Sequence, residues 1–258
     1  MSLLMGALKA AQWLLTAVGI LSLGPLLILL WGPASLSGDW RTASSRPTQQ
    51  APDPAVEHGP VVQVYAARTF GWRGAFAVHT WVAAKPANAA RYNRYEVIGW
   101  NLYRGDSAVS NSSWYGPDAE WFGQKPVLIA DRRGEEAAAI IAALPAAVAS
   151  YPYAAVYRAW PGPNSNTFIA HLGRRIPALR LSLPGIAIGK DYLPGGAVLG
   201  RAPSGTGFQL SIAGVIGLLA AADEGIEVNL LGLVVGVDVR HPALKLPGIG
   251  CVPECFGS

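Results

Sequence analysis

The chain has 258 residues, 51% of them hydrophobic and 14% charged, with a formal net charge of +4. That length suits one sizeable core, or a core plus an anchor. Its basic residues are scattered without a dense Lys/Arg stripe, which argues against nucleic-acid binding and leaves a slight affinity for anionic lipid headgroups.

Residues 11–31 carry no charge and are long enough to cross a hydrocarbon core of roughly 30 Å. Trp13 and Trp31 lie near the two ends, where amphipathic rings favour the interface, and Pro25 is placed to bend the helix. A cleaved signal peptide is the rival reading. The apolar run is longer than a usual signal core, and Pro33 spoils the cleavage candidates around Gly32–Ser35. Residues 1–31 are therefore expected to be an uncleaved single-pass anchor. Lys9 before the span and Arg41 and Arg46 after it give positive-inside counting no clean answer. Residues 32–59, rich in Ser, Pro, Ala and Gly, read as a linker.

Residues 60–248 are expected to form one α+β domain. Val61–Tyr65 reads as a first strand, Thr69–Gly74 as a turn, Ala75–Ala84 as a strand carrying His79, and Tyr95–Tyr103 as a further strand. Residues 104–126 are irregular and hold Trp114, Tyr115, Trp121 and Phe122, either as a lid or contact surface or as packing supplied by a loop. Asp131–Ser150 reads as a helix, with Glu135 and Glu136 near its start and Pro145 inside it. Asn164 is placed to cap a helix over 165–176 that Pro177 closes. Residues 208–219 and 226–239 read as two long strands of a β-hairpin joined by Ala221–Gly225, lying against the membrane; a re-entrant or interfacial element is the alternative. Residues 249–258 form a tail with Cys251 and Cys255, either paired in a tight loop or two separate thiols.

The candidate chemistry is a dyad. Ser165 opens the capped helix, where free backbone N–H groups and the helix dipole stabilise developing negative charge. His79 could act as its base, Glu96 on the next strand could orient the imidazole, and the amides around Ser165 and Asn166 could donate to an oxyanion. The plain readings stand beside these: Ser165 as a cap or turn residue, His79 as a core histidine, Glu96 paired with Arg94 or Arg104, and Asn164 and Asn166 as backbone braces. His58, His79, His171 and His241 lack the spacing of a metal site, and Gly185–Tyr192 lacks the pattern of a phosphate loop. No cofactor and no metal are expected.

Several segments carry a resemblance: Phe76–Trp81, Tyr95–Trp100, Trp160–Phe168, Ile188–Tyr192, Pro203–Gly207 and Glu227–Gly232. The chain resembles the DUF3750 family of bacterial membrane-associated proteins over most of residues 61–248. More distantly, a strand histidine followed by a helix opening on Asn-Xaa-Asn is similar to circularly permuted papain-like (NlpC/P60-related) hydrolases, over about residues 61–180. There Ser165 occupies the position of the nucleophilic cysteine and His79 that of the family histidine, with Glu96 as a possible third member. A serine hydroxyl is hardly ionised near neutral pH, so the substitution implies a serine variant or an inactive relative kept for binding. The expected function is a structural or interaction protein, an accessory subunit of a membrane complex. The expected location is the bacterial inner membrane, with lipid and membrane-protein partners and the main domain periplasmic. The alternative is an amide or ester hydrolase acting on cell-envelope peptide or lipid.

Overall fold

The computed structural model describes residues 2–34, 39 and 41–253. The N-terminal apolar segment forms two helices, α1 (Ser2–Leu21) and α2 (Leu23–Trp31). Pro25 has no N–H to give the Leu21 carbonyl, which accounts for the break there. Across it Ser22 N still donates to Val18 O over 2.9 Å, so Leu4–Trp31 remains one apolar rod long enough to cross a membrane.

Strand β1 (Val61–Arg68) pairs antiparallel with β2 (Val78–Lys85), which pairs with β3 (Asn93–Val97), and β3 with β4 (Val109–Ser112). On its other side β1 pairs with β5 (Val127–Arg133), giving the order β4-β3-β2-β1-β5. Helices α3 (Gly134–Ala149) and α4 (Ser165–Arg175) cover one face. There Val62, Val64, Val78 and Val82 meet Ile140 and Leu144 of α3 and Phe168, Ile169 and Leu172 of α4, all buried. The opposite face buries a smaller cluster, Val61, Tyr65, Trp81 and Tyr92.

The rest of the chain is an antiparallel meander. Its strands are β6 (Leu199–Arg201), β7 (Gly207–Ile212), β8 (Ile216–Ala221), β9 (Gly225–Leu230), β10 (Leu233–Asp238), β11 (Ala243–Leu246) and β12 (Gly250–Val252), in spatial sequence order. Its alternation is inverted. Gln209, Ser211, Glu227, Asn229 and Lys245 are buried, while Phe208, Leu210, Ile212, Ile226, Val228 and Leu244 between them are exposed.

Several boundaries differ from the expectations. The strand expected over 95–103 ends at Val97, and Gly99–Arg104 is a 3₁₀ helix. Asp131–Arg133 is not helical: it completes β5, because Gln63↔Asp131 and Val61↔Arg133 extend the ladder with β1. Strand β4 lies inside the stretch read as irregular. The two long strands expected over 208–219 and 226–239 are four. Ala213-Gly214 and Leu231-Gly232 both take positive φ, which turns the chain tightly between antiparallel strands. Gly250–Val252 is a strand paired with β11. Cys251 is disulfide-bonded, and Cys255 lies outside the described residues. The latter part of the segment read as a linker is docked: Pro47 bridges to Ala119, and Asp118 Oδ2 accepts from Gln50 N over 2.5 Å and Ala51 N over 3.2 Å.

Candidate functional site

Successive side chains of a strand point to opposite faces. In β2, Thr80 points toward α4, where its Oγ1 donates to Asn166 Oδ1 over 2.9 Å. His79 and Trp81 therefore point away from α4, and the rings confirm it: His79 stacks on Trp121 at 3.7 Å between centroids with planes 11° apart. The pairing Ala83↔Arg94 puts Arg94, and Glu96 two residues on, on that same face.

There His79 Nε2 lies 2.7 Å from Glu96 Oε2. Arg94 Nη2 donates to the same oxygen over 2.8 Å, and Arg94 Nε lies 2.8 Å from Oε1, an ion-pair contact out of line for a hydrogen bond. The guanidinium lies over Trp81 at 3.8 Å from the ring centroid and 5.4 Å from that of Trp121, within cation–π range. All three polar residues are buried. Burial pushes His79 below the ordinary histidine value, overriding the opposite pull of Glu96. Burial alone would raise Glu96, but Arg94 and His79 hold it below the usual carboxylate range. At neutral pH the cluster is thus a neutral imidazole donating its Nε2 proton to a carboxylate that Arg94 neutralises, with Nδ1 left as a lone pair.

The second part of the site is the start of α4. Asn164 Oδ1 accepts from Asn166 N over 3.0 Å and Thr167 N over 3.1 Å, and Thr167 Oγ1 accepts from Asn164 N over 3.1 Å, a complete capping box. The Asn164 amide also donates to Ala159 O and Ile188 O, each over 3.0 Å. Asn166 Nδ2 donates to Val78 O over 2.9 Å and Ile188 O over 2.8 Å. Both asparagines are therefore braces that tie the helix start to β2 and to the segment around Ile188. Ser165 is buried as the first residue of α4. Among the described residues no hydrogen bond joins it to His79, and α4 packs on the face of β2 opposite to the His79 side chain.

The structure thus joins His79 to Glu96 and Asn166 to Thr80, and does not join Ser165 to His79. Two further features lie around the site. Trp121, from the aromatic loop, is a packing partner of His79, whereas Trp114 in the same loop is 88% exposed. Trp114 and Tyr115 line an open groove of about 890 Å³ with Arg91, Tyr92 and Asp118. Under the meander lies a buried ionic cluster. Lys190 Nζ contacts Asp191 Oδ1 at 3.2 Å and pairs with Glu227, whose other oxygen lies 2.6 Å from Lys245 Nζ. Asn229 Nδ2 donates to Asp191 Oδ2 over 2.9 Å. The alternation in Phe208–Ile212 and Ile226–Leu230 carried the signal for this cluster, since each places polar residues two apart. Among the described residues, no group of three or more His, Cys, Asp or Glu side chains could hold a metal ion.

Fold and site define a mixed protein of helices and antiparallel sheets behind an N-terminal helix apolar enough to span a membrane. Residues 59–192, just over half of the 258, match the family described as "Protein of unknown function (DUF3750)", and the chain belongs to that family. The matched segment takes in His79, Glu96, Ser165 and Asn166 and stops short of Pro203–Gly207 and Glu227–Gly232. No curated protein and no solved structure matches the chain.

Proposed function

We propose that this chain is a membrane-anchored structural or interaction protein, an accessory subunit of a bacterial inner-membrane complex with its main domain in the periplasm. Its scaffold is related to the permuted papain-like hydrolases without using their chemistry. The observation that carries this reading is the pleat of β2. It sends His79 into a closed cluster with Glu96, Arg94 and Trp121, away from the face that α4 covers. A base committed to a neutralised carboxylate on the wrong face of a strand is not placed to take a proton from Ser165. The apolar helix supplies attachment, and the exposed aromatic rim of the groove, Trp114 and Tyr115, supplies a surface for a protein partner.

The test is a mild-detergent pull-down of the full-length protein with mass spectrometry, run on wild type and on Ser165→Ala. A stoichiometric set of membrane proteins, the same in both, is expected. A solitary monomer would count against the subunit role.

One observation favours the alternative, an amide or ester hydrolase of cell-envelope peptide or lipid: the 2.7 Å contact of His79 with Glu96 is the base–orienter half of a triad. In that reading Ser165 is the nucleophile and the amides around Ser165 and Asn166 donate to the oxyanion. Labelling by a fluorophosphonate that is lost in both Ser165→Ala and His79→Gln would establish it and displace the first reading.

A further inference from the structure

We infer that the outer face of the seven-stranded meander is a second membrane-contact surface, lying flat in the acyl-chain boundary beside the N-terminal helix. This rests on the anchor reading of Leu4–Trp31.

The first observation is the face itself. Ladder partners share a face, and the register lines up apolar rows across the sheet. One row runs Leu210, Leu218, Val228 and another runs Ile226, Val237, Leu244, each residue opposite the next. All six are at least 40% exposed. The reverse face takes the charges: Glu227 and Lys245 stand on either side of Gly236 and reach each other beneath it. A soluble sheet with one wet face puts its polar residues outside. Here the polar residues are inside and hydrogen-bonded, so the pattern fits an apolar medium outside.

The second observation says what that medium is. The helix and the sheet touch partway along the apolar rod. A side chain at Gly24 would collide with the Pro247 carbonyl oxygen, 2.1 Å away, and one at Gly248 with Pro25 N at 2.5 Å. Helix α1 also packs on β10. Gly24 precedes Trp31 by seven positions, about 10 Å of helix, and every α1 contact is farther from Trp31 still. The rod cannot slide to bring Gly24 up to the interface, because Lys9 would then be drawn into the hydrocarbon, where a charge is costly. Where the helix spans, the turn at Pro247–Ile249 and the near part of β10 therefore lie below the interface. The apolar face they belong to meets lipid. The sheet is open at β6 and β12 and ionic on its reverse, so it can lie on a membrane but not cross one. A helix plus a laid-down apolar sheet would fix the height and tilt of the domain, which a lone helix leaves free.

The test uses full-length protein in vesicles of phosphatidylcholine and phosphatidylglycerol. Leu218→Cys, Val228→Cys and, as an exposed control on α3, Glu135→Cys are each labelled with a thiol-reactive bimane. Quenching by nitroxide lipids is compared with quenching by iodide in the water. Loss of emission with nitroxide lipid and not with iodide at 218 and 228, and the reverse at 135, is expected. Iodide quenching at 218 and 228 equal to that at 135 overturns the proposal, and alkaline carbonate extraction separates the causes. Protein that stays with the membrane leaves the anchor standing and removes only the sheet surface; protein that is released removes the anchor itself. Labels shielded from both quenchers, with Leu218→Cys dimers forming under oxidation, also overturn it and assign the face to a second copy of the chain.

Discussion

His79 and Thr80 are neighbours in the chain and serve opposite sides of β2: Thr80 Oγ1 holds Asn166 at 2.9 Å, and His79 Nε2 holds Glu96 at 2.7 Å. This parity separates the roles of two adjacent residues of α4. Asn166→Ala strands the Thr80 hydroxyl and the Val78 carbonyl in a buried site, which should cost roughly 2–4 kcal/mol. Ser165→Ala removes a hydroxyl that holds neither His79 nor Asn166 and should cost under about 0.5 kcal/mol. Thermal melts in a mild detergent compare the two. Equal losses would mean that Ser165 is itself part of the brace.

The capping box gives a coupled prediction. Asn164→Ala removes the acceptor for two helix N–H groups, worth about 1–2 kcal/mol as a cap, together with two bonds to carbonyls. Gly189 sits against the Asn164 amide, with φ at +100° and a hypothetical Cβ 2.4 Å from it. Gly189→Ala should therefore destabilise through both collision and backbone conformation. The collision vanishes when Asn164 is alanine, so the double variant should lose less than the two single losses combined. Strict additivity in a double-mutant cycle would mean that the two do not press on each other.

These relationships were unevenly legible in the sequence. The apolar N-terminal helix and α4 could be read because their signals are local: an uncharged run, an Asn cap, a closing proline. The partner of His79 was also within reach, since Glu96 follows on the next strand. Whether Ser165 could join them depended on which face of β2 α4 would cover, and packing decides that. The meander was undercounted because its turns use Ala213-Gly214 and Leu231-Gly232, not the Asn-Gly or Asp-Gly pairs that announce a hairpin. Strand β5 was hidden because Asp131–Arg133 leads directly into α3, and only the ladder with β1 marks it as extended.

The ionic cluster beneath the meander should behave as a charge-balanced unit. Lys190, Lys245, Glu227 and Asp191 are all buried, and the two lysines hold Glu227 below the usual carboxylate range although burial alone would raise it. Glu227→Gln leaves two lysines facing one aspartate and should cost about 3–5 kcal/mol. Adding Lys245→Met restores the balance and should recover a good part of that loss. A double variant less stable than Glu227→Gln alone, in the same detergent melts, would show that Lys245 contributes chiefly through its bond to the Glu224 carbonyl at 2.6 Å.

Acid should destabilise the domain through its buried histidines. Burial lowers the folded-state affinity for protons at both His79 and His171. The unfolded chain binds those protons more readily once the pH passes below about 6.5, so stability rises with pH across that window and is lost as pH falls through it. The depressed carboxylates Glu96 and Glu227 act with the same sign lower down: their contribution is present above about pH 4.3 and is lost toward more acid values. The melting midpoint should therefore hold steady above about pH 7 and drop on acidification to about pH 5.5. His79→Gln should melt lower at every pH yet show a shallower drop, and His171→Gln should remove the remainder. An unchanged slope in the His79 variant would mean that His79 takes up its proton in the folded domain as readily as in the unfolded chain.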